Sequence, residues 1–314
     1  MQEVKPNTIS QLLGMYLPRK HITQATIAET QNAFRTLIAT AGDIKPSCLT
    51  SDIVEDFQTD LSGSGLSPAT VNKYLRTLRP VFRWGQRRRW CEDVFVEIRK
   101  LKEPKKEIVI YELDELQRIL AVCDKIWRLR FLLAVTAGMR RSEILNLTVA
   151  DVDFERQCIY VRPKQRTATT WQWQPKDKDV RIVPLEEQTE KCLVDIIAEM
   201  SPTVPYVCVP EERYRYLIAK TDLSERVRIC PVNNYTRMQK AILRRAGVIH
   251  KTFHDLRRTC GTQWSEHLPI HAVRDLLGHS DVNTTIKYYT KTRDRFLADA
   301  KKVSTLFLTG DTRC

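Results

Sequence analysis

LLGHSDVNTTIKYY, residues 276–289, places His279 nine residues before Tyr288. It contains the end of one segment with helical periodicity, residues 269–277, and the start of another, about 282–309. A tyrosine phenol has a pKa of about 10 and attacks poorly unless cations and proton-transfer groups surround it. Such groups are frequent in this C-terminal third, and the cluster HDLRRT at residues 254–259 lies just upstream. The spacing therefore makes Tyr288 a candidate nucleophile toward a phosphodiester.

The composition favours a polyanionic partner. The 314 residues carry 51 Lys+Arg against 38 Asp+Glu, a net charge of +13, which points to nucleic acid before a membrane. Apolar runs such as residues 131–137 are far shorter than the about 18–20 residues that span a bilayer. Residues 1–10 are polar and lack the apolar segment of a signal peptide. The sequence thus predicts a cytoplasmic protein.

Cysteine and carboxylate spacing gives no sign of a metal centre. The nine cysteines have no Cys-x-x-Cys pair, and the closest two are sixteen residues apart. This spacing predicts buried or free thiols in a reducing compartment. No convincing carboxylate set for a metal-dependent nuclease is present, so we expect neither a metal nor another cofactor.

One charged segment divides the chain. RKLKEPKKE, residues 99–107, has little to bury and predicts an exposed linker. We therefore expect two domains, residues 1–103 and residues 104–314, each long enough to bury its own core.

A basic helix is predicted before the linker. Ser67 and Pro68 read as an N-cap and a first helical residue, whereas Pro80 predicts a kink or an interruption. The basic residues of this helix are Lys73, Arg76, Arg79, Arg83 and Arg87. A solvated face is one interpretation, but the local excess of positive charge favours contacts with phosphates. Such contacts would position the protein on DNA without reading its sequence.

After the linker the sequence predicts mainly helices with a small β-sheet. Residues 126–137 are largely apolar and predict a core helix. Residues 158–162 and 180–185 read as two strands joined by a long polar segment. Helical patterns then return, at residues 187–199, 235–246 and 254–266 before the two helices named above.

Four segments, taken in order, resemble the motif boxes of the tyrosine recombinases, also called phage integrases. TAGMRRSEI at residues 136–144 resembles their first arginine box, and PKDKDVRIVPL at residues 175–185 resembles their hairpin-lysine box. HDLR at residues 254–257 matches His-x-x-Arg, and LLGH at residues 276–279 with Tyr288 matches the final box. Four boxes in the right order are a specific signal.

The resemblance implies an N-terminal helical core-binding (SAM-like) domain followed by an α+β catalytic domain. It implies a site-specific DNA recombinase that cleaves and rejoins DNA through a 3′-phosphotyrosyl intermediate, for integration, excision or resolution. Neither ATP nor a metal is required, because the covalent link conserves the bond energy. The implied partners are double-stranded DNA in the nucleoid, a homotetramer on two DNA sites and accessory directionality factors.

The same resemblance assigns roles. Arg140 and Arg257 would hold the non-bridging phosphate oxygens through their planar guanidinium groups, where a solvated arginine is the ordinary alternative. Tyr288 would attack phosphorus. The supporting groups would be Lys176 as general acid, His254 in proton transfer with the tyrosine, His279 as hydrogen-bond donor to the phosphate, and Glu143 as an orienting residue.

The sequence leaves open which lysine is the general acid, which tyrosine is the nucleophile and how the tyrosine is delivered. Lys164 and Lys178 compete with Lys176, which is favoured by counting back from Arg181. Tyr289 directly follows Tyr288, and the spacing from His279 favours the first of the two. Delivery of the tyrosine in cis is favoured over donation to a neighbouring protomer.

The chain after the tyrosine has an apolar stripe over residues 296–307, which predicts a C-terminal helix. That helix either packs on its own domain or, as the resemblance implies, is exchanged between protomers of a tetramer. Two other functions compete with recombination: relaxation of supercoils by a type IB topoisomerase-like enzyme, and DNA binding by a non-catalytic relative.

Overall fold

The computed structural model describes residues 5–19, 22, 24–104, 108–176, 180–220 and 222–289. The chain divides into two units, Met1–Lys106 and Glu107–Cys314, close to the division predicted at residue 103. The helices of the first unit are α1 (Ile9–Tyr16), α2 (Gln24–Ala41), α3 (Ser51–Gly63) and α4 (Pro68–Gln86).

α4 organises the first unit. Its N-cap is Ser67, whose hydroxyl accepts a hydrogen bond from the Thr70 amide at 3.3 Å, as the sequence predicts. Its apolar face packs on α2, where the rings of Phe34 and Phe82 stack with centroids 5.8 Å apart. Of the kink or interruption predicted at Pro80, the interruption does not occur, because α4 continues through that residue as one helix.

The second unit combines helices with one small sheet. Its elements are α5 (Leu113–Val122), α6 (Lys125–Thr136), α7 (Arg141–Ile144), β1 (Val152–Asp153), β2 (Cys158–Val161), β3 (Arg181–Pro184), α8 (Glu187–Glu199), α9 (Glu211–Ile218), α10 (Glu225–Ile229), α11 (Tyr235–Arg245), α12 (Phe253–Ser265), α13 (Ile270–Leu277) and α14 (Val282–Tyr289). The prediction of a mainly helical chain with a small sheet is confirmed.

The sheet is antiparallel, in the order β1-β2-β3. Ile159 on β2 pairs with Val183 on β3, and both side chains are buried in the core of the second unit. The long segment between these strands continues the pairing, since Lys164 and Trp173 form an isolated antiparallel bridge. Trp171 then stacks on Tyr206, with ring centroids 3.9 Å apart, so this segment packs on a small aromatic core of its own.

α6 is the central helix of the second unit. It is buried from Leu129 to Ala134 and packs against α8 and α12, which confirms the core helix predicted at residues 126–137. Gly138 follows with φ of +59°, a conformation that glycine adopts without strain, and turns the chain into α7. α12, α13 and α14 pack on one another beside it. The four boxes are thereby placed around one region of the second unit.

In the described residues, no helix combines the length and the apolar character needed to cross a membrane. The C-terminal helix predicted over residues 296–307 lies outside the described residues.

Candidate active site

Arg140 is the N-cap of α7 and is tied to Glu143 in the next turn. The Arg140 amide donates to Glu143 Oε2 at 2.8 Å, and Arg140 Nη1 donates to Glu143 Oε1 at 2.9 Å. Arg140 Nη2 donates to the carbonyl oxygen of Gly278 at 3.0 Å. Its guanidinium is thus held at two points, although its side chain keeps 17% of its surface exposed. A group so held is preorganised to meet an anion.

Arg257 lies on α12, one turn after His254, and is 1% exposed. Its Nη1 donates to the carbonyl oxygen of Gly138 at 2.6 Å, and its Nη2 donates to that of Leu277. The first carbonyl belongs to the turn that leads into α7, and the second lies at the end of α13. Arg257 therefore joins three of the four boxes.

Glu143 is a buried carboxylate among cations. It is 2% exposed and also accepts two hydrogen bonds from Arg181, at 2.9 and 2.6 Å. Burial alone would raise its pKa, but the hydrogen bond and charge of Arg181, with the charges of Arg140 and Arg257, outweigh burial and lower the pKa to about 2. Glu143 is therefore ionised at neutral pH and orients the arginines.

Replacing Glu143 by leucine should lower the free energy of unfolding by roughly 3–5 kcal/mol, because Arg140 and Arg181 would lose their buried counter-charge. In the folded protein the pKa of Glu143 is about 2, below its ordinary value of 4.5. The ionised carboxylate therefore contributes its full stabilisation above pH 4.5. The stabilisation is lost as the pH falls from 4.5 toward 2. Urea unfolding between pH 7 and pH 3 measures both effects.

Glu187→Ala is the matched control for this variant. Glu187 is also a carboxylate paired to a cation, Lys191, but it is exposed on α8, and its removal should change stability little. An equal loss of stability in the two variants would contradict the role assigned to Glu143.

His254 is exposed, in contrast to its neighbours on α12. Its pKa is lowered to about 4, first by partial desolvation of the ring and then by the charges of Arg257, Arg258 and Arg140, with Asp255 opposing. Repulsion by these arginines disfavours the protonated imidazole. The imidazole is therefore neutral at pH 7 and able to accept a proton.

His279 follows the end of α13. Gly278 ends that helix with φ of +62°, and the His279 amide donates to the carbonyl of Arg274 at 3.0 Å. The ring Nδ1 lies 3.0 Å from the hydroxyl of Thr285, a buried residue of α14. The contact fixes the orientation of the imidazole and ties it to the helix that carries the tyrosines.

Tyr288 and Tyr289 are in the last turn of α14, whose backbone is described; their side chains lie outside the described residues. The packing of α14 on α12 and α13 brings this helix beside Arg257 and His279. The choice between the two tyrosines stays a prediction.

The lysines between β2 and β3 are less clearly placed. Lys176 is exposed in a turn, and Lys178 lies outside the described residues. Lys164 is 10% exposed at its side chain and contacts Asp151 at 2.7 Å. Burial lowers the pKa of Lys164, while the carboxylate of Asp151 opposes that shift. No described contact joins Lys176 to the arginines, so its assignment also stays a prediction.

Arg181 is a further residue of the candidate site, and the sequence did not predict a role for it. It stands on β3 at a buried position that alternates with the exposed Ile182. An arginine at an inward-facing position of a strand was the available signal, because a buried guanidinium needs a partner. The structure therefore brings Arg140, Arg257 and Glu143 together, with His254 and His279 on the elements that hold them.

Comparison with known proteins agrees with this geometry. The model of the phage integrase family matches residues 110–295. The tyrosine recombinase XerA of Thermococcus onnurineus is 30% identical over 257 residues, covering 80% of each chain. XerA of Thermococcus kodakarensis is 28% identical over 309 residues, covering 96% of this chain and 97% of that protein.

A solved structure gives the same result for the fold. The integrase of transposon Tn1549, in complex with a circular intermediate DNA, superposes with a TM-score of 0.74 at 17% identity, covering 90% of this chain and 95% of that one. The family model spans more than half of the chain and includes all four boxes, and the relatives match along most of their length. The chain belongs to the phage integrase family, that of the tyrosine recombinases.

Proposed function

We propose that this protein is a site-specific recombinase that breaks and rejoins double-stranded DNA through Tyr288. One observation carries the proposal: Arg257 and Arg140 bind the successive carbonyls of Leu277 and Gly278, directly before His279. Two fixed guanidinium groups and a histidine then border the same turn, nine residues before the tyrosine. This arrangement suits a phosphoryl group that gains negative charge during substitution.

The reaction is a pair of transesterifications. The Tyr288 phenolate attacks phosphorus, the bond to the 5′ oxygen breaks, and a 3′-phosphotyrosyl link forms with a free 5′-hydroxyl. A 5′-hydroxyl from the partner DNA then attacks that link and releases the tyrosine. Each step exchanges one phosphoester bond for another, so neither ATP nor a metal is needed to supply energy.

Three groups would move or hold protons. Neutral His254 accepts the proton of the tyrosine; its lowered pKa keeps the ring unprotonated at pH 7. Lys176 donates a proton to the departing 5′ oxygen, and Lys164 or Lys178 are the alternatives for that role. His279, fixed by Thr285, donates a hydrogen bond to a phosphate oxygen.

The first unit offers a second contact with DNA. A groove of about 400 Å³ is lined by Arg76, Arg79, Arg83 and Lys100 over an apolar floor. Arg79 lies 3.3 Å from Asp93, and Lys73 lies 2.7 Å from Glu29, whereas no ion pair among the described residues involves Arg76 or Arg83. We propose that Arg76 and Arg83 contribute most to phosphate binding, with Arg87 outside this groove.

The double variant Arg76→Ala/Arg83→Ala should weaken DNA binding and reduce its salt dependence. Two lost phosphate contacts lower the slope of log K against log salt by about 2. Fluorescence anisotropy with a labelled duplex between 50 and 300 mM salt measures the slope. Lys73→Ala is the control, since its ammonium is already paired with Glu29; an equal reduction of the slope there would contradict the assignment.

Recombination also needs an assembly. We propose a homotetramer on two DNA sites in which the helix predicted over residues 296–307 passes between protomers, with accessory proteins setting direction. The support for this is the resemblance to the family and the apolar pattern of that segment.

A nicked suicide duplex tests the function. The cognate site is first mapped by footprinting, including sequence that flanks the gene, and a nick close to the cleavage position then traps the intermediate. We expect a covalent protein–DNA adduct in EDTA that Tyr288→Phe does not form. Gel shifts without any adduct would instead indicate a non-catalytic relative. Relaxation of supercoiled DNA without exchange between two sites would indicate a topoisomerase-like enzyme.

A further inference from the structure

Arg181 is the most deeply held cation of this region without an assigned role. Its side chain is 6% exposed, and all three of its guanidinium nitrogens make hydrogen bonds. Nη1 and Nη2 donate to the two oxygens of Glu143, and Nε donates to the carbonyl of Leu276 at 3.0 Å. A planar fork that meets a carboxylate in this way fixes both partners.

The end of α13 binds three arginines in order. The carbonyl of Leu276 accepts from Arg181, that of Leu277 from Arg257, and that of Gly278 from Arg140. The last carbonyls of a helix lack partners within the helix and carry partial negative charge, so they favour cations. Arg181 thus binds the first of three successive carbonyls. The other two bind Arg257 and Arg140, the candidates for phosphate binding.

We propose that Arg181 is a positioning residue for the recombination reaction: it holds Glu143 and the end of α13 to strand β3, and thereby fixes the guanidinium of Arg140. It acts through Glu143, because Arg140 and Arg181 both donate to the same carboxylate oxygen, Oε1. All three of its guanidinium nitrogens already bond within the protein, so the role assigned to it is positioning and not contact with DNA. The proposal rests on the function proposed above and adds the residue that links the hairpin strand to the arginine cluster.

A tight fit at Gly278 supports the same role independently. A Cβ at this glycine would lie 3.0 Å from Cδ of Arg181 and 3.4 Å from its Nε and Nη1. The backbone there has φ of +62° and no room for a side chain unless Arg181 shifts. The turn between α13 and His279 is therefore built directly against the Arg181 side chain.

Loss of Arg181 should change the titration of Glu143. The carboxylate would lose two hydrogen bonds and its nearest charge while staying buried, so its pKa would rise. As the pH falls through that raised pKa, Glu143 would take up a proton and release Arg140. A variant without Arg181 should therefore lose activity on the acid side at a pH where the wild type is still active.

The test measures single-turnover adduct formation on the suicide duplex between pH 5 and pH 9. Arg181→Met should slow the reaction about 10- to 100-fold, the effect of misplacing a catalytic group, with duplex affinity unchanged in gel shifts. It should also show the new loss of activity at acid pH. Arg181→Lys, which keeps the charge but not the fork, should react at an intermediate rate with a pH profile closer to that of the wild type.

Arg162→Met is the matched control, because Arg162 is an exposed arginine just after β2 that bonds to Asp151 instead. It should react at the wild-type rate. A double-mutant cycle with Glu143→Gln tests whether Arg181 acts through Glu143. If it does, the double variant is no slower than the slower of the two single variants.

A wild-type rate and pH profile in Arg181→Met, or effects of Arg181→Met and Glu143→Gln that multiply in the double variant, would overturn the proposal. If Arg181→Met does not fold, Arg181→Lys carries the test, and a wild-type rate and profile there would count against it. If the wild type itself forms no adduct at any pH, the proposed function has failed rather than the role of Arg181.

Discussion

Tyr288→Phe is expected to form no covalent adduct on the suicide duplex, whereas Tyr289→Phe should form it at close to the wild-type rate. Phenylalanine keeps the ring but lacks the only oxygen that can attack phosphorus. Neighbouring residues of a helix point about 100° apart, so one tyrosine of the pair cannot replace the other without turning α14. Denaturing gels of labelled duplex, with protease treatment to identify the linked protein, measure the adduct.

Gel shifts provide the control for this pair, since both variants should bind the duplex as the wild type does. The reverse result, an adduct in Tyr288→Phe and none in Tyr289→Phe, would move the nucleophile by one residue.

Mixing Tyr288→Phe with Arg257→Met then tests whether the tyrosine acts in its own protomer or in a neighbouring one. In cis delivery no protomer has both the tyrosine and an intact arginine site, so no adduct should return; donation between protomers would restore it.

Arg257→Met should lower the rate of adduct formation about 10²- to 10³-fold, the usual effect of removing one donor that stabilises a developing oxyanion. The variant loses the guanidinium that we propose binds the phosphate, and also the bonds that join Gly138 to Leu277. Arg257→Lys should recover little of the rate, because a single ammonium cannot reach both carbonyls and the phosphate. Rapid-quench kinetics with excess enzyme measure the chemical step.

Arg258→Met is the matched control for that variant. Arg258 is the next residue of α12, pairs with Asp255 at 2.7 Å and keeps 40% of its side chain exposed. It should cleave close to the wild-type rate. Thermal unfolding of all three variants separates a loss of chemistry from a loss of fold, and a 10²-fold effect in Arg258→Met would argue against the assignment of Arg257.

Helices with clear apolar periodicity were predictable from the sequence. The segment predicted at residues 187–199 is α8 as observed, and Ser67 caps α4 because its hydroxyl has an amide to accept from. The strands β2 and β3 were also predictable, since each lies in a short run rich in β-branched residues. β1 has two residues and no alternation to detect, and α9 and α10 are short and polar. Local pattern is therefore informative only where an element is long enough and apolar enough to show it.

The candidate site was also predictable only in part. Arg140, His254, Arg257 and His279 were predicted from the motif boxes, because the order and spacing of those boxes identify each residue. Arg181 was not recognised, since its partners Glu143 and Leu276 are 38 and 95 residues away and only folding brings them together. Lys176 stays a prediction, because the long segment between β2 and β3 offers several lysines at similar spacing.

The end of α13 also limits how this protein can vary in length. An inserted or deleted residue in that helix would rotate its last turn by about 100° and move the three arginine-binding carbonyls together. No single compensating substitution could then return all three arginines to their places. We expect natural and engineered length changes to be tolerated between β2 and β3, whereas α13 should keep a constant length.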